Sequence, residues 1–201
     1  MSNYSFSPDV IIIDNFYDDP WSIRETALTC EYMPAKTDSQ YLFGNAPYPG
    51  KVSISSYGPK NLDLAVSKLL GKQARQLLQL NSGKFRLSNS LDKSDNFVHR
   101  DHTGYAGVVY LNPDIYNVPG TIFYTHKETK ASSGDLNLLK KLIMNNDVND
   151  PDKWDINFMS YIVFNRLIIY PAEMFHGIGP LFGTEDKDAR LVQLFFWQIL
   201  D

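Results

Sequence analysis

The sequence is short of cysteine, of positive charge and of long hydrophobic runs. One cysteine, Cys30, in 201 residues allows no intramolecular disulfide, so the chain must rely on a packed core, and the usage fits a reducing cytosol. Cys30 is read as a small buried hydrophobe in an amphipathic helix. The formal charge is −4 and the 19 Lys and Arg gather into no single run, which argues against nucleic acid or anionic lipid as a general partner. The first residues, MSNYSFSPDVIIIDNF, have no basic start and only four consecutive apolar positions. They are read as neither a secretory signal nor a membrane span. There is no internal repeat and no low-complexity tract. The length suits one domain with a sizeable core.

What is present falls into two textures. Residues 1–83 read as a helical and loop support: a strand at VIII (10–13), a helix begun by Asp19-Pro20 and running through WSIRETALTCEYM, and a long Pro/Gly-rich loop over 34–60 with a short strand near KVSIS. A second helix is expected over NLDLAVSKLLGKQARQLLQL (61–80), capped by Asn61 and stopped at Ser82-Gly83. Residues 84–201 read as a core of successive strands in KFRLSNS, NFVHRD, YAGVVYLN, TIFYTH, FMSYIVF, RLIIY and ARLVQLFFWQIL, with one inserted helix near 135–145. Strand after strand implies a sandwich or barrel rather than βαβ units. The final strand presents Phe195 and Trp197 to a helix or to a second subunit.

The chemistry concentrates in HRDHTGYAGVVYLN, where His99 and Asp101 stand two apart. In an extended segment they share a face. Among the remaining histidines, His176 follows a strong strand pattern and precedes a Gly-rich turn, a strand end that can face a cavity. His126 is read as a surface residue and His102 as a satisfied polar residue in preference to a substrate contact. Two histidines and a carboxylate on one face of a metal suit non-haem Fe(II) with open positions, and a zinc hydrolase could use the same three. A further cation separates the two. Arg190, 14 residues after His176 and opening the last strand, offers a bidentate fork to a co-substrate carboxylate, which a hydrolase does not need.

These residues resemble the Fe(II)- and 2-oxoglutarate-dependent dioxygenases, in particular the prolyl-4-hydroxylase-like branch. The resemblance rests on H-x-D at 99–101, AGVVYLN at 106–112, PGT at 119–121, FHG at 175–177 and R-x-V-x-L-x-F-W at 190–197, and it spans about residues 85–199. It implies a mainly β fold with flanking helices, the double-stranded β-helix or jelly roll of cupin-like proteins. It implies Fe(II) held by His99, Asp101 and His176, and 2-oxoglutarate held by Arg190 with Tyr110 and Thr121. It also implies hydroxylation of a C–H bond with dioxygen, on a peptide or protein side chain or a small molecule. Aromatic residues of the loop 32–57 (Tyr32, Tyr41, Phe43, Tyr48, Tyr57) and the segment 125–157 are expected to wall the site. Pro119 departs from the family's Gly-Gly pair. His102 and Gly104 form the H-x-G spacing of relatives that replace the carboxylate with glycine, but Asp101 is present. A non-catalytic jelly-roll module and a zinc-dependent hydrolase are the competing readings.

Overall fold

The computed structural model describes residues 9–35, 49–92, 98–102 and 104–200. Two antiparallel sheets face each other, and period-2 alternation on their strands sorts side chains to opposite faces. The larger sheet runs β1 (Ile11–Ile13), β9 (Arg166–Pro171), β6 (Tyr105–Tyr110), β11 (Arg190–Leu200), β5 (Lys84–Ser88), β3 (Lys51–Ser53), β2 (Tyr32–Pro34), with β4 (Gln73–Gln76) also paired to β11. The smaller sheet is β10 (His176–Ile178), β7 (Pro119–His126) and β8 (Trp154–Tyr161). This is the jelly-roll architecture. The 11-residue β11 is its central member, paired to β6 along one edge and to β5 and β4 along the other.

Alternation on β6, β9 and β11 builds two cores. Val109, Leu111, Leu167, Ile169, Leu191, Phe195 and Trp197 turn outward to meet Ala27 of α1 (Pro20–Thr29) and Leu62 and Val66 of α2 (Leu62–Leu70). Phe195 and Trp197, stacked at 5.7 Å, are thus covered by helices of the same chain. The alternate positions Ala106, Val108, Tyr110, Ile168, Tyr170 and Val192 look inward toward Phe123 of β7. A third cluster joins α3 (Leu136–Met144), through Leu139 and Leu142, to Val98, Tyr124, Trp154 and Phe175.

Several sequence expectations change. The first helix ends at Thr29, and Cys30 is its half-buried C-cap rather than a helical residue, because Tyr32–Pro34 leave to pair with β3. The expected 61–80 helix stops at Leu70, where Gly71 adopts φ +64°, a left-handed cap that glycine takes at little steric cost. The chain beyond it reverses into β4 and a 3-10 turn at Leu78–Leu80. Asn61 flanks that helix without a capping hydrogen bond, whereas Asp19 and Asp135 cap α1 and α3 by accepting from Ser22 and Leu138 amides. Within the expected NFVHRD strand only a bridge at His99 forms among the described residues, and β10 was not foreseen. His126 is 1% exposed, not at the surface. Its Nδ1 meets Thr129 and its Nε2 lies 3.5 Å from Asp147 Oδ2.

Trp197 is fully buried and rests on Gly107, where an added Cβ would lie 2.8 Å from the indole. Trp197→Ala should cost about 3–5 kcal/mol in a denaturant titration. Arg166 grips Asp14 with two bonds of 2.6 and 2.9 Å, and that hydrogen bonding, outweighing the opposing effect of burial, holds the Asp14 carboxyl below its ordinary value. A carboxyl depressed in the folded state stabilises above its unfolded value of about 4 and loses that contribution as pH falls through the folded value. Asp14→Asn should therefore lower stability at neutral pH, modestly because the pair is half-exposed, and change it little at acid pH where the wild-type carboxyl is already protonated, as urea midpoints measured from neutral into acid pH would show.

Candidate metal centre

Two strand-like backbone bonds set the centre. The amides of His99 and His176 each donate to the other's carbonyl at 2.8 Å, and the Asp101 amide donates to Ala172 at 2.8 Å. One short stretch, 172–176, thus carries a ligand histidine and holds both ends of H-x-D. Within it, residues 99, 101 and 176 place their ligand atoms within 4.8 Å of one another. The imidazole centroids are 4.4 Å apart, and His176 Nε2 is 3.5 Å from Asp101 Oδ2.

The protonation pattern follows from the neighbours. His176 Nδ1 lies 2.8 Å from the Met174 carbonyl, which can only accept, so Nδ1 carries a proton and Nε2 is the nitrogen turned to Asp101. Nε2 faces a carboxylate oxygen, and either a proton or a metal ion between the two satisfies both. Burial, with the charge of His176 and then Arg86 adding to it, pushes the His99 imidazole down to about 3 despite Asp101. The ring is neutral at physiological pH, the form in which an imidazole coordinates a metal. Burial alone would raise Asp101, but its contact with His176 and the neighbouring imidazoles hold the carboxyl below its usual range. A metal ion therefore fits these three side chains on the chemistry of the donor set.

A second polar group lies in the same inter-sheet space. Arg190 is 3% exposed and donates from Nη2 to the Gly120 carbonyl at 2.9 Å, while its Nε has no hydrogen-bond partner among the described residues. No described carboxylate pairs with it. Burial, with Arg86 adding, pushes its guanidinium down to about 10, so it remains charged at neutral pH. Tyr110, its phenol raised mainly by burial, donates to Thr121 Oγ1 at 2.9 Å and lies beside the buried Ser160. Tyr170, whose ring is 4.9 Å from His176, is also within electrostatic reach of Arg190.

No family model matches the sequence, and no curated protein shows significant similarity to it. Solved structures do match over nearly the whole chain. One is a 2OG-Fe(II) oxygenase-family oxidoreductase from Burkholderia pseudomallei, 9% identical over 94% of this chain and 84% of that one, with a TM-score of 0.52. A Pseudomonas putida prolyl-4-hydroxylase is 12% identical over 96% and 93%, at 0.51. HygX from Streptomyces hygroscopicus, with nickel, 2-oxoglutarate and hygromycin B bound, is 13% identical over 97% and 87%, at 0.50. The chain has the fold of the 2-oxoglutarate/Fe(II) oxygenases.

Within that oxygenase fold, His99, Asp101 and His176 come together, and Arg190, Tyr110 and Thr121 form a second group on facing strands. His102 is exposed. Tyr32 and Tyr57 do not wall the centre: Tyr32 donates to the Ala27 carbonyl and Tyr57 stacks on Phe85 at 5.0 Å, both on the helix side. Tyr41, Phe43 and Tyr48 lie outside the described residues. Segment 127–153 packs behind Val98 and Phe175. The sequence reading missed Arg86, whose alternation in KFRLS and pairing to Val192 turn it into the cleft. It also missed the Met174 carbonyl, which no side-chain pattern reveals.

A ligand that binds only the folded state raises its melting temperature. Fe(II) added anaerobically should raise the melting midpoint of the wild-type protein and leave that of Asp101→Ala unmoved. An equal rise in both would place the metal elsewhere.

Proposed function

We propose that this chain is a non-haem Fe(II)- and 2-oxoglutarate-dependent oxygenase that hydroxylates a C–H bond of a peptide or protein side chain or of a small molecule. The observation that carries this reading is Arg190, a buried guanidinium with no described carboxylate partner, in the same cleft as a three-ligand metal centre. A buried charge is costly until an opposite charge meets it. A dicarboxylate bound to the metal at one end and to Arg190 at the other supplies that charge. The zinc-hydrolase reading uses the triad and leaves the guanidinium without a purpose, and a non-catalytic module leaves both.

His99, Asp101 and His176 would hold iron on one face, leaving the other for co-substrate and dioxygen. When bound, the metal and 2-oxoglutarate supply the oxidation: dioxygen is consumed, the oxo acid is split to succinate and CO2, and one oxygen atom goes to the substrate. The chain's part is positional. The Met174 carbonyl fixes the His176 tautomer, burial keeps His99 neutral, and Arg190 with the Tyr110 and Thr121 hydroxyls receives the distal carboxylate. Phe123 and Tyr170, packed edge to face at 4.9 Å beside His176, keep water from that side. Two neighbours by fold, a prolyl-4-hydroxylase and a protein with hygromycin B bound, support a substrate range from peptide to small molecule. No described helix is long and apolar enough to cross a membrane, and we place the activity in the cytoplasm on the cysteine usage.

Anaerobic titration of the apoprotein with Fe(II) and 2-oxoglutarate should produce the weak visible charge-transfer band of a metal-bound oxo acid. Arg190→Ala should need at least about tenfold more 2-oxoglutarate for the same band, the loss expected when a charge-assisted pair is removed. Iron binding without any band in the wild type would defeat the proposal.

A further inference from the structure

We infer that Arg100 is a positioning residue that couples docking of the 127–153 insertion to the metal affinity of the His99, Asp101 and His176 centre. The inference rests on the metal-dependent function proposed above. Arg100 stands between two ligands in sequence, yet it is turned away from them. Its Nη1 donates to the Gly134 carbonyl at 2.6 Å and its Nε to the Asp101 carbonyl at 3.0 Å. One half-buried guanidinium thus ties the backbone of a ligand to the segment that leads into α3.

That segment also grips the other ligand. The Phe175 amide donates to Ser132 at 2.9 Å, the Gly134 amide to Glu173 at 3.2 Å, and Ser133 bridges Met174. Met174 in turn supplies the carbonyl that orients His176. A closed ring results: Asp101, Arg100, Gly134, residues 173–174, His176. Hydrophobic contacts follow the same route, because Val98 and Phe175, each directly preceding a ligand histidine, are buried in the cluster built on Leu139, Leu142, Val148 and Trp154. Gly134 is fitted closely there, since a Cβ would lie 2.8 Å from the Phe175 ring. If 131–135 shifts, both the Asp101 carbonyl and the Met174 carbonyl lose their fixed places.

The guanidinium suits this task because its rigid planar fork presents two separate nitrogens to the two carbonyls in fixed geometry, whereas an ammonium offers its donors from one freely rotating nitrogen. Groups that orient metal ligands without touching the metal typically change affinity by about 10–100-fold when removed. Coupling is reciprocal, so metal binding should also tighten the insertion.

The test compares wild type, Arg100→Met and Arg100→Lys by anaerobic titration of the apoproteins with Co(II), read from its d–d absorption, alongside apoprotein melting and amide hydrogen exchange over 131–148. Arg100→Met should bind Co(II) at least about tenfold more weakly, and metal should slow exchange across 131–148 in wild type but not in Arg100→Met. Arg100→Lys should recover only part of the affinity. Wild-type affinity in Arg100→Met overturns the inference, and so does a lower apoprotein melting point with affinity unchanged, which marks a purely structural role. If Arg100→Met does not fold, Arg100→Lys decides alone, a clear loss supporting the inference and wild-type affinity overturning it. Absence of Co(II) binding in wild type would instead defeat the metal-dependent function itself.

Discussion

Two backbone hydrogen bonds exchanged between His99 and His176 hold the working part of this protein together. They fasten the segment after β5 to the short β10, and every other feature of the centre is built on that junction. Because a peptide group is planar and strongly prefers to have its donor and acceptor satisfied, pairing the two residues fixes their Cα positions. Only side-chain rotations remain to be set, and the Met174 carbonyl sets one of them. Asp101 is brought in by its amide on Ala172, from the same 172–176 stretch.

The sandwich supplies the rest. Alternation on β6, β9 and β11 gives one face of the larger sheet to the helices and the other to the cleft. Strand β11 thereby places Arg190 inside while Leu191 faces outward, and a buried guanidinium is costly until an opposite charge meets it. The metal end and the arginine end lie in one inter-sheet space walled by Phe123 and Tyr170. On the proposed function the two ends act as one site.

Much of this was legible in the sequence, for local reasons. H-x-D, the histidine at a strand end and the arginine opening the last strand are side-chain identities at positions that period-2 alternation exposes. The strands of the second half announced themselves in the same way. What the sequence hid was tertiary. Ala74 and Leu77 fit a helical period as well as they fit β4 and its turn, and the left-handed Gly71 that breaks the helix was overlooked among apolar neighbours. Tyr32 and Tyr57 carry no mark of which face of the sheet they join. The partners of Arg100 and His176 are carbonyls at residues 134 and 174, and a carbonyl is common to every residue. His126 looked like a surface histidine because Asp147, its buried neighbour, comes from the inserted segment.

The proposed function requires a single dicarboxylate to span the metal and Arg190. Calorimetric titration of the Fe(II)-loaded protein under anaerobic conditions, with 2-oxoglutarate and with 2-oxobutyrate, tests this most directly, because the two share the metal-binding oxo acid and differ in the distal carboxylate. The proposed function predicts binding of 2-oxoglutarate and a far weaker response to 2-oxobutyrate. Equal affinity for the two would mean that Arg190 does not receive the far end, and would contradict it.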